Sequence, residues 1–467
     1  MNRRLSKAIS GRYTAGVGAA LLRRFDISVA PRMGLAFRLT QAATTLLTIC
    51  FVMTALSPVQ QGYLFTFLGI LAAQQLLELG LSTVIMQVTS HESIGMEWDE
   101  RLALFPQEST AIHLAKMLTW AQIWFAGMAF LFLVTVVPAG WILLSADHHS
   151  TVRHSWEGPW LVAGFMCALN LLFAPTLAVL EGCGRISDVY LFKIWQEVLA
   201  SLGLWIGLLS GMGLYSLGIF LAIRVAVCLA FIFSGYRRFL LQLWRHRVSP
   251  SPGFVWARDI WPLQWRTSLS FGAGYLIFQF NTPIVFALHG PIVAGQWALT
   301  YTIVFSIGQF WITWVAARAP ELGNLAAQHE YKRMEMLFFR DLRHSTTACA
   351  TGLILAYLVL CGGVKLGLPY MDRLLDLQAA GLICAWGVVN HVVNVMAIHL
   401  RAHREEPYLL PSLVGGVLIP TSVYYLGGLF GTFGIAMSYL VITSTVGLGW
   451  GGWIFFRKLQ LRREMST

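Results

Sequence analysis

Glu197 and Arg224 are the residues of this sequence whose chemistry fits their surroundings least. Each stands near the middle of an apolar run, Glu197 in 188–210 and Arg224 in 213–235. If the two runs are neighbouring helices entered from opposite ends, the carboxylate lies roughly 14 Å deep and the guanidinium roughly 15 Å deep, so they meet at one level. Charge at the centre of a bilayer is expensive, at least about 2.5–3.5 kcal/mol on the mildest scale, and is retained for a reason. One reason is function: a cation for an anionic ligand, beside a carboxylate that couples ion movement. The other is structural, an ion pair fastening two helices. Proton coupling at Glu197 further requires that desolvation outweigh the neighbouring cation.

Other polar groups stand in similar apolar settings. Arg38 and Arg266 open the first and seventh apolar runs, where they meet an anionic group at the mouth of a cleft or snorkel to lipid phosphate. Glu78 lies roughly 22 Å along its helix from Tyr63, within reach of Arg38, and serves either an ion pair or ion coupling. Asn390 and Asn394 share a helix face at i,i+4 spacing and suit the hydroxyls of a ligand or interhelical hydrogen bonds. His391 beside them adds a titratable imidazole. Asn281, with Gln279 and Pro283, marks a broken polar stretch whose freed carbonyls either line a cleft or are absorbed in packing. The seven cysteines show no paired or metal-binding spacing, so neither metal nor cofactor is expected. His148, His149 and His154, in the stretch 146–156, match no standard metal motif.

The elements that position these groups follow from composition. The chain is 57% hydrophobic and 12% charged, far from the roughly 25% charged residues of soluble domains. Apolar runs of about 20 residues, the length that crosses hydrocarbon as a helix, occur at 33–56, 62–87, 114–144, 158–180, 188–210, 213–235, 266–288, 294–316, 345–368, 377–400, 407–427 and 432–456. Their number predicts an all-α polytopic membrane protein of about twelve transmembrane helices. Lysine and arginine cluster in alternate loops. One side carries the arginines of the first 38 residues, Arg185, Lys193, the run 237–247, Arg318, Arg343, Arg401 and the end of the chain; the other carries Arg153, Lys365 and Arg373. That asymmetry places both termini in the cytoplasm. The +11 net charge is then a topology signal and an attraction to membrane lipids rather than a nucleic-acid footprint. The stretches Leu21–Phe25 and Tyr236–Arg247 read as interfacial segments.

The second half repeats the first. Pro58 precedes Gly62, and Pro291 precedes Gly295, by four residues, each followed by an aromatic (Tyr63, Trp297). Arg185 precedes Gly218, and Arg401 precedes Gly434, by one common interval. Six spans return the chain to its starting side, so the halves share an orientation and form two pseudo-symmetric lobes around a central cleft. The expected organisation is a basic N-terminal segment (1–30), an N-terminal lobe (31–236), a cytoplasmic linker (237–265), a C-terminal lobe (266–457) and a tail (458–467).

Several stretches resemble a known family. SPVQQGYLFTFLGILAAQQLLELGLSTVIMQVTSHE from Ser57, GPIVAGQWALTYTIVFSIGQFWITWVAARAPELGNLAAQHE from Gly290, LEGCGRISDVY and LRAHREEPYLLPSLVGG look like elements of the bacterial polysaccharide (O-antigen and exopolysaccharide) flippases. These belong to the multidrug, oligosaccharidyl-lipid and polysaccharide exporter superfamily. The resemblance implies translocation of a polyprenyl-diphosphate-linked oligosaccharide from the cytoplasmic to the periplasmic leaflet of the bacterial inner membrane, by alternating access. Under it, Arg224, Arg38 and Arg266 meet the diphosphate. Asn281, Asn390 and Asn394 meet the sugars. Glu197, His391 and Glu78 couple to a proton or sodium gradient. The chain is then a transporter and not an enzyme. The alternative within the superfamily is a cation-coupled multidrug antiporter, which needs deep acids and fewer cations. A membrane-embedded polysaccharide enzyme is the remaining rival, and would need catalytic groups in the histidine-bearing loop.

Overall fold

Two glycines decide how many times this chain crosses a membrane. In the computed structural model, which describes residues 29–99, 102–105, 108–145, 156–247, 255–403 and 407–465, nine helical stretches are long and apolar enough to span, and the bent stretch Pro58–Glu92 adds another. Two of them, Trp261–Ala316 and Leu409–Glu464, are 56 residues long. Each reverses at a glycine with positive φ, Gly290 (φ 77°) and Gly431 (φ 60°), a conformation open to residues without a β-carbon. The reversals are visible in the contacts. The rings of Phe278 and Phe305 lie 5.5 Å apart, where an unbroken helix would separate them by about 40 Å. Ser422 and Ser438 hydrogen-bond at 2.8 Å, where the helical distance would be about 24 Å. Each long stretch therefore supplies two crossings, and the described residues carry twelve.

In chain order the first lobe comprises α1 (Val29–Ala55), α2 (Pro58–Leu71), α3 (Gln74–Glu78), α4 (Leu81–Glu92), α5 (Glu108–Ser145), α6 (Glu157–Leu171), α7 (Ala174–Gly182), α8 (Ile186–Leu209) and α9 (Tyr215–Phe231). A π-helical turn, Ile232–Tyr236, joins α9 to α10 (Arg237–His246). The short α11 (Trp256–Asp259) leads into the second lobe: α12 (Trp261–Phe278), α13 (Asn281–Ala316), α14 (Ala319–Ala327), α15 (Tyr331–Lys365), α16 (Leu377–Arg401), α17 (Leu409–Ile442), a π-helical stretch Thr443–Trp450, and α18 (Gly451–Met465). The apolar runs thus become helices where the sequence places them. The ninth span starts earlier than its apolar run, at Tyr331, because the amphipathic segment before it continues as the same helix.

Local chemistry sets the breaks. Ser57 caps α2 by a reciprocal capping box with Gln60, with Pro58 in the first turn, an arrangement that satisfies the orphan donors of a helix start. The second span bends by 41° at Leu79 (φ 54°) and Gly80 (φ 64°). Between α4 and α5 the chain forms a two-stranded antiparallel hairpin, β1 (Glu97–Asp99) and β2 (Leu102–Leu104). The Trp98 indole there donates to the Cys183 carbonyl at 2.9 Å and lies under the Arg185 guanidinium at 4.4 Å. The interfacial reading of Tyr236–Arg247 corresponds to α10, which buries Phe239 and Leu243. Leu21–Phe25 and the three loop histidines lie outside the described residues.

Each lobe has an aromatic pillar. In the first, Phe67, Phe125, Phe132 and Trp160 are fully buried, and the indole of Trp160 donates to the Val137 carbonyl at 3.0 Å. In the second, Trp297, Tyr301, Trp386 and Tyr439 stack with ring centroids 5.1–5.8 Å apart. Stacked and edge-on pairs of this kind hold large rings in fixed positions.

The lobes meet most closely where the two halves of the repeat face each other. A β-carbon on Gly62 would lie 1.8 Å from the Pro291 carbonyl oxygen, and one on Gly295 would lie 3.0 Å from the Gly62 nitrogen. Small residues at helix interfaces let backbones approach in this way. The buried Gln61 side chain crosses the seam and donates to the carbonyls of Gly295 (3.1 Å) and Arg373 (3.3 Å). The two Pro–Gly turns of the sequence repeat are therefore one contact, and it closes one end of the molecule.

Candidate functional site

Below that closure lies a cavity of about 810 Å³ between the lobes, lined by α1, α2, α8 and α9 of the first and by α12 and α13 of the second. Its walls are polar stripes at helical spacing. On α1 the stripe is Arg38, Gln41, Thr45 and Thr48; on α8 it is Lys193, Glu197 and Ser201; on α13 it is Thr302, Ser306, Gln309 and Thr313. Recurrence every three or four residues puts each set on one helix face. At the Pro58 end the lining is buried: Val52, Leu64 and Ala298 are 4% exposed or less. At the other end Arg38 is exposed, and Leu39 (41%) and Phe310 (45%) open outward. The cavity is therefore closed at the Pro58–Pro291 end and open at the Arg38 end.

The two walls differ in charge. All charged lining residues, Arg38, Lys193 and Glu197, belong to the first lobe. The wall of the second lobe is neutral: amides, hydroxyls and the rings of Phe278, Tyr301, Phe305 and Phe310. Glu197 accepts from the Thr44 hydroxyl at 3.3 Å and from Arg224 Nη1 at 3.0 Å, so it ties spans one, five and six together. Lys193 pairs with Glu181 at the end of α7 and sits 5.2 Å over the Tyr190 ring. Arg38 has neither an ion pair nor a hydrogen bond among the described residues.

The structure brings together only part of the set named from sequence. Glu197 and Arg38 line the cavity. Arg224 does pair with Glu197, as their depths predict, but does not itself line the cavity. Its guanidinium approaches the carboxylate from beside the Phe220 ring at 5.5 Å, and its carbonyl accepts from Gln196 at 2.9 Å. Arg266 is exposed on α12 over Trp265, away from the cavity. Glu78 ends α3 immediately before the bend and makes no ion pair with Arg38 among the described residues. Residue count along a helix fixes the level alone, and α1 packs chiefly against α8 and α13.

Asn281 is buried at 1% exposure, and its amide donates to the carbonyls of Leu276 and Ile277 at 3.0 Å. The Tyr439 hydroxyl donates to the same Ile277 carbonyl at 2.9 Å. The freed carbonyls of the broken seventh span are thus absorbed internally, and the neighbours Gln279 and Thr282 reach the cavity instead. Asn390, His391 and Asn394 line a separate recess of about 10 Å³ against α13, space for about one water. There His391 Nε2 meets the Ser345 hydroxyl at 3.1 Å and the Asn394 amide donates to the Asn390 carbonyl at 2.8 Å. Gln309 and Phe305 line both spaces and separate the recess from the central cavity. Sequence reasoning missed the threonine and serine stripes and Gln309. Their i, i+4, i+7 spacing was the available signal.

No protein-family model and no curated protein matches the chain. Solved structures do. The chain is similar to the inward-facing conformation of a multidrug resistance MATE family transporter of the MOP superfamily, with a TM-score of 0.67 at 13% identity, covering 93% of this chain and 100% of that one. An outward-facing conformation of such a transporter gives 0.58 at 13% identity, covering 93% and 96%. A MOP superfamily transporter from Pyrococcus furiosus, described as having a binding pocket of reverse polarity, gives 0.56 at 14% identity, covering 92% and 96%. The chain therefore has the two-lobed, twelve-helix fold of these transporters.

Proposed function

We propose that this protein carries a lipid-linked, anionic glycan across the bilayer by alternating access, the substrate being a polyprenyl-diphosphate-linked oligosaccharide. The observation that carries this reading is the charge arrangement of the cavity. Its one acidic lining residue, Glu197, is already bound by Arg224, and the lining charge without an ion-pair partner among the described residues is the positive Arg38. A pocket for cationic drugs requires the reverse, an acid left available to a cation. Diphosphate recognition by guanidinium and ammonium groups is strong because each bond is charge-assisted. The neutral wall opposite offers amides, hydroxyls and aromatic faces, the groups that hold sugars. The lipid tail stays in hydrocarbon, so only the head group must be solvated by protein.

In this reading Arg38 meets the diphosphate at the open end, while Gln309, Ser306 and Thr302 face the glycan. Arg224 acts through Glu197, holding it in place, and the pair is the element that responds when a proton or sodium ion moves. The distribution of lysine and arginine puts the Arg38 end in the cytoplasm, so the closed Pro58–Pro291 end faces outward and the conformation is inward-facing. Depletion of the protein in a glycan-producing bacterial host is expected to trap glycan lipid on the inner leaflet, detected as loss of labelling by an impermeant lectin on spheroplasts. Unchanged leaflet distribution after depletion would refute the assignment.

The multidrug reading of the same fold has one observation in its favour, since Glu197 lies in the cavity at mid-depth. It then requires Arg224 to leave the carboxylate, its one ion-pair partner among the described residues.

A further inference from the structure

The outer flank of the second lobe carries a groove that transport through the central cavity does not use. Two contiguous recesses, of about 690 Å³ and 460 Å³, run between α15, α16 and the last crossing and share Phe339, Leu342 and Val392. The floor is apolar and buried, with Phe338, Met396 and Phe455 at 3% exposure or less. Trp453 and Phe456 form an outer lip that is more than half exposed. The last crossing passes this site as a π-helical stretch, Thr443–Trp450, a widened geometry that recurs at functional positions. Gly449 in that stretch and Gly452 in the first turn of α18 keep the trough clear of side chains.

One rim is positive. Arg340 and Arg343 both line the larger recess. Asp341 is buried beside them but is held by Arg318 at 3.1 Å, with Arg340 at 3.5 Å, so one carboxylate serves two guanidinium groups. Arg343 has no ion pair among the described residues. The Thr346 hydroxyl in the same recess is buried without a hydrogen-bond partner among the described residues. Arg457 adds a further cation over the Trp453 ring at 5.3 Å. The rim lies where the amphipathic start of α15 passes into its apolar part.

We infer that this groove holds an anionic glycerophospholipid, its acyl chains along the aromatic trough and its phosphodiester on Arg343 and Arg340. A soluble anion gains nothing from the apolar floor. A zwitterionic lipid gains little from surplus positive charge. Basic pockets between crossings near the cytoplasmic surface suit anionic head groups. The site lies outside the central cavity, so it stands independently of the substrate assigned above.

Native mass spectrometry of the full chain in mild detergent, titrated with phosphatidylglycerol or phosphatidylcholine, tests this. The protein is expected to retain phosphatidylglycerol preferentially, and Arg343→Gln is expected to lower that retention about fivefold while leaving phosphatidylcholine unchanged. Val392→Trp fills the trough without altering charge and is expected to reduce phosphatidylglycerol retention as well. Equal retention of both lipids by the native chain overturns the proposal, as does undiminished phosphatidylglycerol retention in Arg343→Gln. If Arg343→Gln does not yield folded protein, Val392→Trp decides: a loss of phosphatidylglycerol supports the site and full retention overturns it.

Discussion

Glu197→Gln is expected to lower transport at least tenfold while leaving most of the protein in the membrane. The carboxylate joins three spans through Thr44 and Arg224, and its removal leaves the Arg224 guanidinium without its ion partner. Breaking a fully buried pair costs about 3–5 kcal/mol. Here Arg224 is 31% exposed, and solvent screening reduces the loss. Arg224→Gln should weaken transport similarly, because Glu197 then stands unneutralised in the cavity wall and repels a diphosphate. The double variant Glu197→Gln/Arg224→Gln separates the two roles of the pair. If the pair couples substrate movement, the double variant keeps or regains full abundance, measured by quantitative immunoblot, but does not regain flux. Recovery of flux together with abundance would mean that the pair merely fastens helices.

Gly62→Val has the second large expected effect, and it acts on conformation rather than on binding. A β-carbon at Gly62 would lie 1.8 Å from the Pro291 carbonyl oxygen and 2.4 Å from its carbon. Both neighbours are backbone, so no side chain can rotate away, and α2 and α13 must part. The closed end should then remain open to the outside. Ala298→Cys, placed at the buried end of the cavity in a background lacking the native cysteines, should become reactive to an impermeant thiol reagent added from outside, and transport should fall more than tenfold. Gln61→Ala is the milder companion. It removes two hydrogen bonds across the seam, each of about 1 kcal/mol net, and should shift the equilibrium roughly thirtyfold without abolishing it. Unchanged labelling in Gly62→Val would show that this contact is not the gate.

Spans and reversals were legible in the sequence because hydrocarbon imposes length and composition on each crossing, and because Gly290 and Gly431 stand where apolar runs meet. The pairing of Glu197 with Arg224 was legible too, since depth along a helix follows from residue count alone. What the count leaves undetermined is rotation about the helix axis and lateral spacing. Arg224 therefore read as a cavity residue although it reaches the cavity only through Glu197. Glu78 and Arg38, level in depth by count, form no ion pair among the described residues, since α1 packs chiefly against α8 and α13. Asn281 read as a lining amide, but a broken helix frees carbonyls at that very point, and the nearest amide satisfies them. The stripes Gln41–Thr45–Thr48 and Thr302–Ser306–Gln309–Thr313 escaped notice because each member is weakly polar alone. Their shared period is the signal, and it is readable without coordinates.

In the proposed function, the paired Glu197 and the cation of Arg38 make the cavity a site for an anionic head group. The most direct measurement is leaflet exchange in proteoliposomes holding the purified chain and a fluorescent polyprenyl-diphosphate oligosaccharide, with dithionite quenching from outside as the readout. The account predicts protein-dependent exchange that Arg38→Gln slows and that a cationic dye such as rhodamine 6G does not inhibit. Transport of the dye, with no movement of the glycan lipid, would contradict it.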